Sequence, residues 1–238
     1  MTVIAFGSVT GAPGVSTLVQ GVATVWRDGA DRVVVEADCD GGRLATSCEV
    51  GVDPGLMSIG VSARSGHVSG DDLAEAAVKV GPWWLLPSPM SGEHTHQVIT
   101  NVGDRLANAV AADRSRVWLI DTGRLSMRTP SLAFAQRADL TVLVTDGSLA
   151  GLQQLPTRVD ALHVARCNVG VVVVGELAWP AGEVAQFVGA DVLGRVPRVK
   201  DPGRPVSGKA WRTWWAAVEG LVGVLVASCE SVASVVSG

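Results

Sequence analysis

Val3-Ile4-Ala5-Phe6, followed by Gly7-Ser8-Val9-Thr10-Gly11-Ala12-Pro13-Gly14-Val15-Ser16-Thr17, opens the chain. An apolar run leads into a loop of small residues, and a helix-compatible stretch, Ser16–Arg27, follows. Strand, glycine-rich loop and helix is the layout that cradles a phosphate: small residues let backbone N–H groups approach the anion, and the helix N-terminus adds its dipole. The same letters also suit a tight turn in which Ser16 or Thr17 caps the helix. The loop alone leaves both readings open.

Outward from the loop, strand signals recur as continuous apolar runs: Arg32–Val35, Trp83–Leu86, Val117–Ile120, Leu140–Val144, Val169–Val174 and a shorter one at Asp191–Leu193. Runs apolar on both faces suit a parallel sheet covered on both sides. Helix-compatible stretches alternate with them, at Asp71–Val80, Gln97–Asp113, Ser131–Arg137, Gly151–Arg166 and Gly182–Val188. Val98, Val102, Leu106 and Val110 form one apolar stripe at helical spacing. The alternation predicts an α/β fold with a single doubly wound, mostly parallel sheet of about seven strands and helices on both faces. No repeat and no long linker divides the chain, so residues 1–238 are expected to form a single domain, with 209–236 as its terminal helix. In such sheets ligands bind beyond the carboxyl ends of the strands, which directs attention to the loops there.

Composition agrees. Of 238 residues 47% are apolar and 18% charged, with 28 Gly and 11 Pro scattered without period, which excludes disordered and collagen-like chains. Mean hydropathy is +0.32. The net charge of −4 gives no global argument for nucleic acid. The four cysteines, Cys39, Cys48, Cys167 and Cys229, form no C-x-x-C pair, so neither a disulfide framework nor a zinc ribbon is expected. Met1–Gly7 lacks the basic start of a signal peptide, and Trp214–Ala227, broken by Glu219, is too short for a membrane span. The expected location is cytoplasmic. Aromatic usage is unusual: eight Trp, three Phe and no Tyr. Trp26, Trp83, Trp84, Trp118 and Trp179 fall in or beside expected core elements.

Several fragments, in order, resemble the ParA/MinD family of P-loop proteins, whose deviant Walker A motif reads Gly-Lys-Gly-Gly-x-Gly-Lys-Ser/Thr. Gly11, Gly14 and Ser16 fall on its loop glycines and magnesium-binding hydroxyl. Val33-Val34-Val35-Glu36-Ala37-Asp38 is similar to the second-strand motif whose carboxylates position the attacking water. Asp53-Pro54-Gly55-Leu56 and Leu85-Leu86-Pro87-Ser88 resemble the stretch that follows, Val117-Trp118-Leu119-Ile120-Asp121-Thr122 the Walker B strand, and Ala138–Thr145 the next core strand. Val192-Leu193-Gly194-Arg195-Val196-Pro197 is similar to the late segment beside the adenine. The resemblance implies ATP or ADP with magnesium. The phosphates would lie at Gly11, Ala12, Gly14, Val15, Ser16 and Thr17, the base near Pro197, magnesium at Ser16 and Asp121, and Asp38 and Asp121 would serve catalysis. It also implies a homodimer and an address at the membrane or nucleoid periphery.

The departures are as informative. Val15 stands where the family has the Walker lysine, and Thr10 where it has the signature lysine that crosses the dimer interface. Val9 and Ala12 replace loop glycines, and Pro13 removes an N–H donor. A loop without a cation leaves charge on the transferring phosphoryl group uncompensated, at a cost on the order of 10³-fold in rate or more. ATPase activity is therefore expected to be weak or absent. Glu36, longer than the usual Asp, is not expected to place a water in the same spot, and this carboxylate is grouped with Asp38 and Asp40 in one crevice. Asp146 reads as a turn residue. Glu93-His94-Thr95-His96 reads as a solvated loop rather than a metal pair, Cys39 has no basic partner, and no Gly-x-Ser-x-Gly elbow is present.

Late in the chain, Arg195, Arg198, Lys200, Arg204, Lys209 and Arg212 stand against one acid, Asp201. They form either a solvated basic face or a contact for non-specific DNA or an anionic surface. Trp211, Trp214 and Trp215 share one helix face, suited to the core or to a protein partner. Leu221–Val236 lacks the basic face of an amphipathic membrane helix. Three functional readings follow: a ParA/MinD-like positioning or assembly-regulating protein that holds nucleotide weakly or as a non-turnover switch; a pseudo-ATPase scaffold that binds no nucleotide and recruits a partner; and an active ATPase with a substitute cation.

Overall fold

The loop residues that open the sequence sit at the centre of one eight-stranded sheet. The computed structural model describes residues 2–11, 13–27, 29–199 and 209–236. In chain order its elements are β1 (Thr2–Ser8), α1 (Val15–Val25), β2 (Arg32–Glu36), α2 (Leu44–Ser47), α3 (Leu56–Ser65) and α4 (Gly70–Glu75). Then come β3 (Val78–Val80), β4 (Trp83–Leu86), α5 (Gly92–Ala112), β5 (Val117–Arg124), α6 (Leu132–Ala135) and β6 (Leu140–Thr145). The last are α7 (Leu149–Gln153), α8 (Leu155–Val164), β7 (Val169–Val174), α9 (Ala181–Val188), β8 (Asp191–Val196) and α10 (Lys209–Val236).

The strand order is β3-β4-β2-β5-β1-β6-β7-β8, with every neighbouring pair parallel except β3 with β4. Crossovers leave β1 toward β2 on one side and β6 toward β7 on the other, so a crevice opens beyond the carboxyl end of β1. The seven expected runs are all strands. The eighth, β3, lies inside the stretch read as the helix Asp71–Val80: that helix stops at Glu75, and Val78-Lys79-Val80 turns back to pair antiparallel with β4. The expected Gly151–Arg166 helix is two, α7 and α8, and the first turn of α5 takes up the supposed loop around His94 and His96, both exposed.

Alternation along each strand divides the core in two. Trp118 and Ile120 of β5 pack with Leu56 of α3 and Val102 and Leu106 of α5 on one face. Val117 and Leu119 pack with Leu18 and Val22 of α1 and Val218 of α10 on the other. Strands apolar on both faces are the direct consequence of being covered twice.

The α1–α10 contact decides between the two readings of the tryptophan face: it packs into the core and does not form the docking surface that was the alternative. Trp211 and Trp214 are buried, 8% and 3% exposed, and half-buried Trp215 packs against the same cluster. The rings meet edge to face, Trp211–Trp214 at 5.5 Å and Trp214–Trp215 at 4.7 Å. Gly21 makes room for them: a Cβ there would stand 2.3 Å from Cη2 of Trp214. Trp26, Trp83 and Trp118 are buried as expected, whereas Trp179 is 39% exposed and leaves the core list. Among the described residues no helix is long and apolar enough to cross a membrane.

Candidate functional site

At the carboxyl end of β1 the chain enters the loop and returns as α1. Gly14 takes the N-cap position with φ +105°, a left-handed conformation that suits glycine. Among the described residues no side chain makes a capping hydrogen bond to the helix, so Ser16 and Thr17 do not play the capping role, and the first turn of α1 has no acidic residue. A cavity of about 970 Å³ opens against this end of α1. Gly11, Gly14, Val15, Ser16 and Thr17 line it from the loop side, and Pro197 lines it from the segment after β8. Val15, although it borders the cavity, is buried in the α1 face of the core. Of the expected loop residues, Ala12 lies outside the described residues.

Asp121 stands behind Ser16. It is 1% exposed; its Oδ1 accepts the Gly123 N–H at 3.0 Å, while its Oδ2 has no hydrogen-bond partner among the described residues. Burial pushes its carboxyl up to about 7, and the Ser16 side chain acts in the opposite direction, favouring the charged form. A buried carboxylate oxygen left open beside a hydroxyl at a helix start is the donor chemistry that a hard divalent cation takes. These residues fit magnesium, with Ser16 and Asp121 as the ones that would hold it.

Asp38 also reaches the cavity. Its carboxyl packs on Gly123, where a Cβ would stand 2.1 Å from its Cγ, and its Oδ1 accepts the Asp40 N–H at 2.9 Å. Burial raises its pKa, and Arg124 and Arg43 pull it back down.

Glu36 does not share the crevice as the sequence suggested. It is 1% exposed, and its two oxygens accept the backbone N–H groups of Leu44 at 2.5 Å and Ser88 at 3.0 Å. Its extra methylene is what lets one carboxylate pin the start of α2 and the loop after β4. Gly42 has no side chain because Glu36 occupies the space, 2.2 Å from where a Cβ would be.

Cys39 donates no reactivity: burial pushes its thiol up. Asp146 is the turn residue expected, accepting Ser148 Oγ–H at 2.7 Å. Of the late basic stretch the structure describes four members. Arg195 pairs with Glu176 at 3.2 Å, Arg198 lines the cavity, Lys209 and Arg212 are exposed at the start of α10, and Lys200 and Arg204 lie outside the described residues. Two cavity-lining arginines, Arg43 and Arg124, had no role in the sequence reading. The available signal for Arg124 was its place just past the Walker B-like strand.

No protein-family model matches this sequence, and no curated protein matches it. The fold does match solved structures. The cell division ATPase MinD of Pyrococcus furiosus superposes with a TM-score of 0.74 at 17% identity, over 95% of this chain and 98% of that one. The septum site-determining protein MinD of Pyrococcus horikoshii, complexed with Mg-ADP, gives 0.71 at 16% identity over 93% and 94%. A ParA family ATPase of Chlorobium tepidum gives 0.69 at 15% identity over 98% and 97%. Across nearly its whole length, this chain therefore has the fold of the ParA/MinD ATPases.

Proposed function

We propose that the protein is a ParA/MinD-like positioning or assembly-regulating protein that holds a magnesium nucleotide in the cavity at α1 and turns it over slowly or not at all. The observation that carries the reading is the start of α1, without a side-chain cap, facing a cavity, with the buried Oδ2 of Asp121, which makes no hydrogen bond within the geometric limits among the described residues, beside Ser16. An element with no anion to bind would more commonly have its first-turn N–H groups capped and a buried carboxylate satisfied. Bound magnesium would neutralise phosphate charge; Ser16 and Asp121 would hold it, and the N–H groups of Val15, Ser16 and Thr17 would receive the phosphates.

Slow turnover follows from residue chemistry. Val15 and Thr10 carry no charge, and Glu36 is committed to two backbone N–H groups, which removes one of the two second-strand carboxylates from water activation. A protein that binds nucleotide without consuming it works as a switch between bound and free forms, which suits regulation of an assembly. The roles of the two MinD proteins it resembles in fold, in cell division and septum site determination, support that class of work.

Calorimetric titration of the full chain at about 100 μM with Mg-ATP and Mg-ADP tests the reading; saturable heat is expected, with a Kd in the micromolar range. Absence of heat with both nucleotides overturns it in favour of a scaffold that binds none. Phosphate release above background that disappears in Asp38→Asn would overturn the slow-turnover half and establish an active ATPase.

A further inference from the structure

A loop with no lysine still has a cation against it, and it arrives from another strand. β5 and β1 pair in register up to Phe6–Asp121, but the next pair is Ser8–Arg124, where uninterrupted register would give Ser8–Gly123. One extra residue is therefore accommodated in β5, at Gly123, whose φ is +59°. An inserted residue reverses which face each following side chain takes. The core shows the reversal: Val117 and Leu119 belong to the α1 face, whereas Leu125, which strict alternation would place with them, packs in the opposite cluster. Arg124 is turned by the same reversal onto the α1 side.

There its guanidinium lies on the loop. A Cβ at Gly11 would stand 2.9 Å from Nη2 of Arg124, and among the described residues no other atom outside Gly11's own neighbours in the chain comes within 4 Å of that point. Arg124 is exposed, lines the cavity, and makes no side-chain hydrogen bond or ion pair among the described residues. Its electrostatic neighbour is Asp38, whose charged form it favours. Arg43 also acts on Asp38, and Arg198 acts on Asp146; neither comes within 4 Å of that Gly11 point.

We propose that Arg124 supplies the positive charge for a nucleotide's phosphates that the loop itself lacks, entering from the bulged end of β5 within the same chain. The proposal rests on the nucleotide reading above and adds to it the residue that recognises the polyphosphate. A planar guanidinium offers several donors to phosphate oxygens in a fixed geometry, so an arginine displaced from the loop can still meet two oxygens at once. Because the charge is supplied in cis, binding does not wait for a second copy of the chain.

The test titrates the full chain and its Arg124→Ala and Arg124→Lys variants with Mg-ATP and with AMP, alongside thermal melts. Arg124→Ala is expected to weaken Mg-ATP by about 10- to 100-fold, as loss of a charge-assisted contact does. AMP should change less than twofold, Arg124→Lys should stay within about fivefold of the native chain, and the melting temperature should not move, since the side chain is exposed. An Arg124→Ala variant that binds Mg-ATP within twofold of the native chain overturns the proposal and leaves the nucleotide reading standing. A native chain that binds neither nucleotide overturns both. An equal loss for AMP and Mg-ATP assigns Arg124 to shape rather than phosphate charge, and overturns the proposal too.

Discussion

Glu36, the last residue of β2, and Asp121, within β5, are register partners on neighbouring strands, and both are 1% exposed. They were built for opposite purposes. Glu36 is closed: each oxygen holds a backbone N–H, and together they tie β2 to α2 and to the loop after β4. Asp121 is open: one oxygen holds the Gly123 N–H and the other has no partner among the described residues. Equal burial with unequal satisfaction distinguishes a carboxylate that stabilises the fold from one that the fold maintains at a cost.

The largest effect is expected at the closed member. Glu36→Ala strands two buried N–H groups, each worth about 1–3 kcal/mol, for a loss of about 4 kcal/mol in urea unfolding. At this chain length that lowers Tm by roughly 10 °C. Glu36→Gln, which keeps an acceptor, should lose about half as much; a loss under 1 kcal/mol for Ala would erase the contrast.

At the open member the sign reverses. The pKa of Asp121 in the folded chain, about 7, lies above its ordinary 3.8, so the folded protein holds a proton that the unfolded chain has already released. That contribution is fully present below about pH 4 and is lost as the pH rises through 7. Asp121→Asn is therefore expected to stabilise the protein at pH 8 by on the order of 3 kcal/mol and to flatten the pH dependence between 4 and 7. The same variant should lose magnesium-dependent nucleotide binding. A Tm at pH 8 equal to or below the native value would mean that Oδ2 has a partner after all.

A third expectation concerns the seam beside the site. Gly21→Ala gains about 1 kcal/mol in helix propensity but drives a methyl into the Trp214 ring, and Trp214 also lines the cavity. A net loss of about 2 kcal/mol is expected, with a shift in tryptophan emission. Smallest is Ser16→Ala: stability within about 0.5 kcal/mol, and Mg-nucleotide binding weaker by about tenfold, with the magnesium dependence reduced.

The fold was legible because strands covered on both faces must be apolar throughout, and Val33-Val34-Val35 or Val171-Val172-Val173 can hardly be read otherwise. β3 was not legible: three residues at an edge carry too little pattern to separate Val78-Lys79-Val80 from the end of a helix. Motif position paired Ser16 with Asp121, and the structure sets the two side chains beside each other. The task of Glu36 was not, because its partners lie eight and 52 residues away and are backbone groups, silent in sequence. Arg124 escaped because strict alternation gives it the wrong face; only the irregularity at Gly123 corrects that. The tryptophans were placed correctly on one helix face, but which way that face points depended on a missing side chain at Gly21.

The short β3 strand has a consequence for assembly. It ends the sheet with three residues, and the central one, Lys79, lays its ammonium 5.1 Å from the centroid of the Trp84 ring. A border so brief and charged is a poor template for a neighbouring molecule's backbone. Filament growth by strand addition is discouraged on that flank.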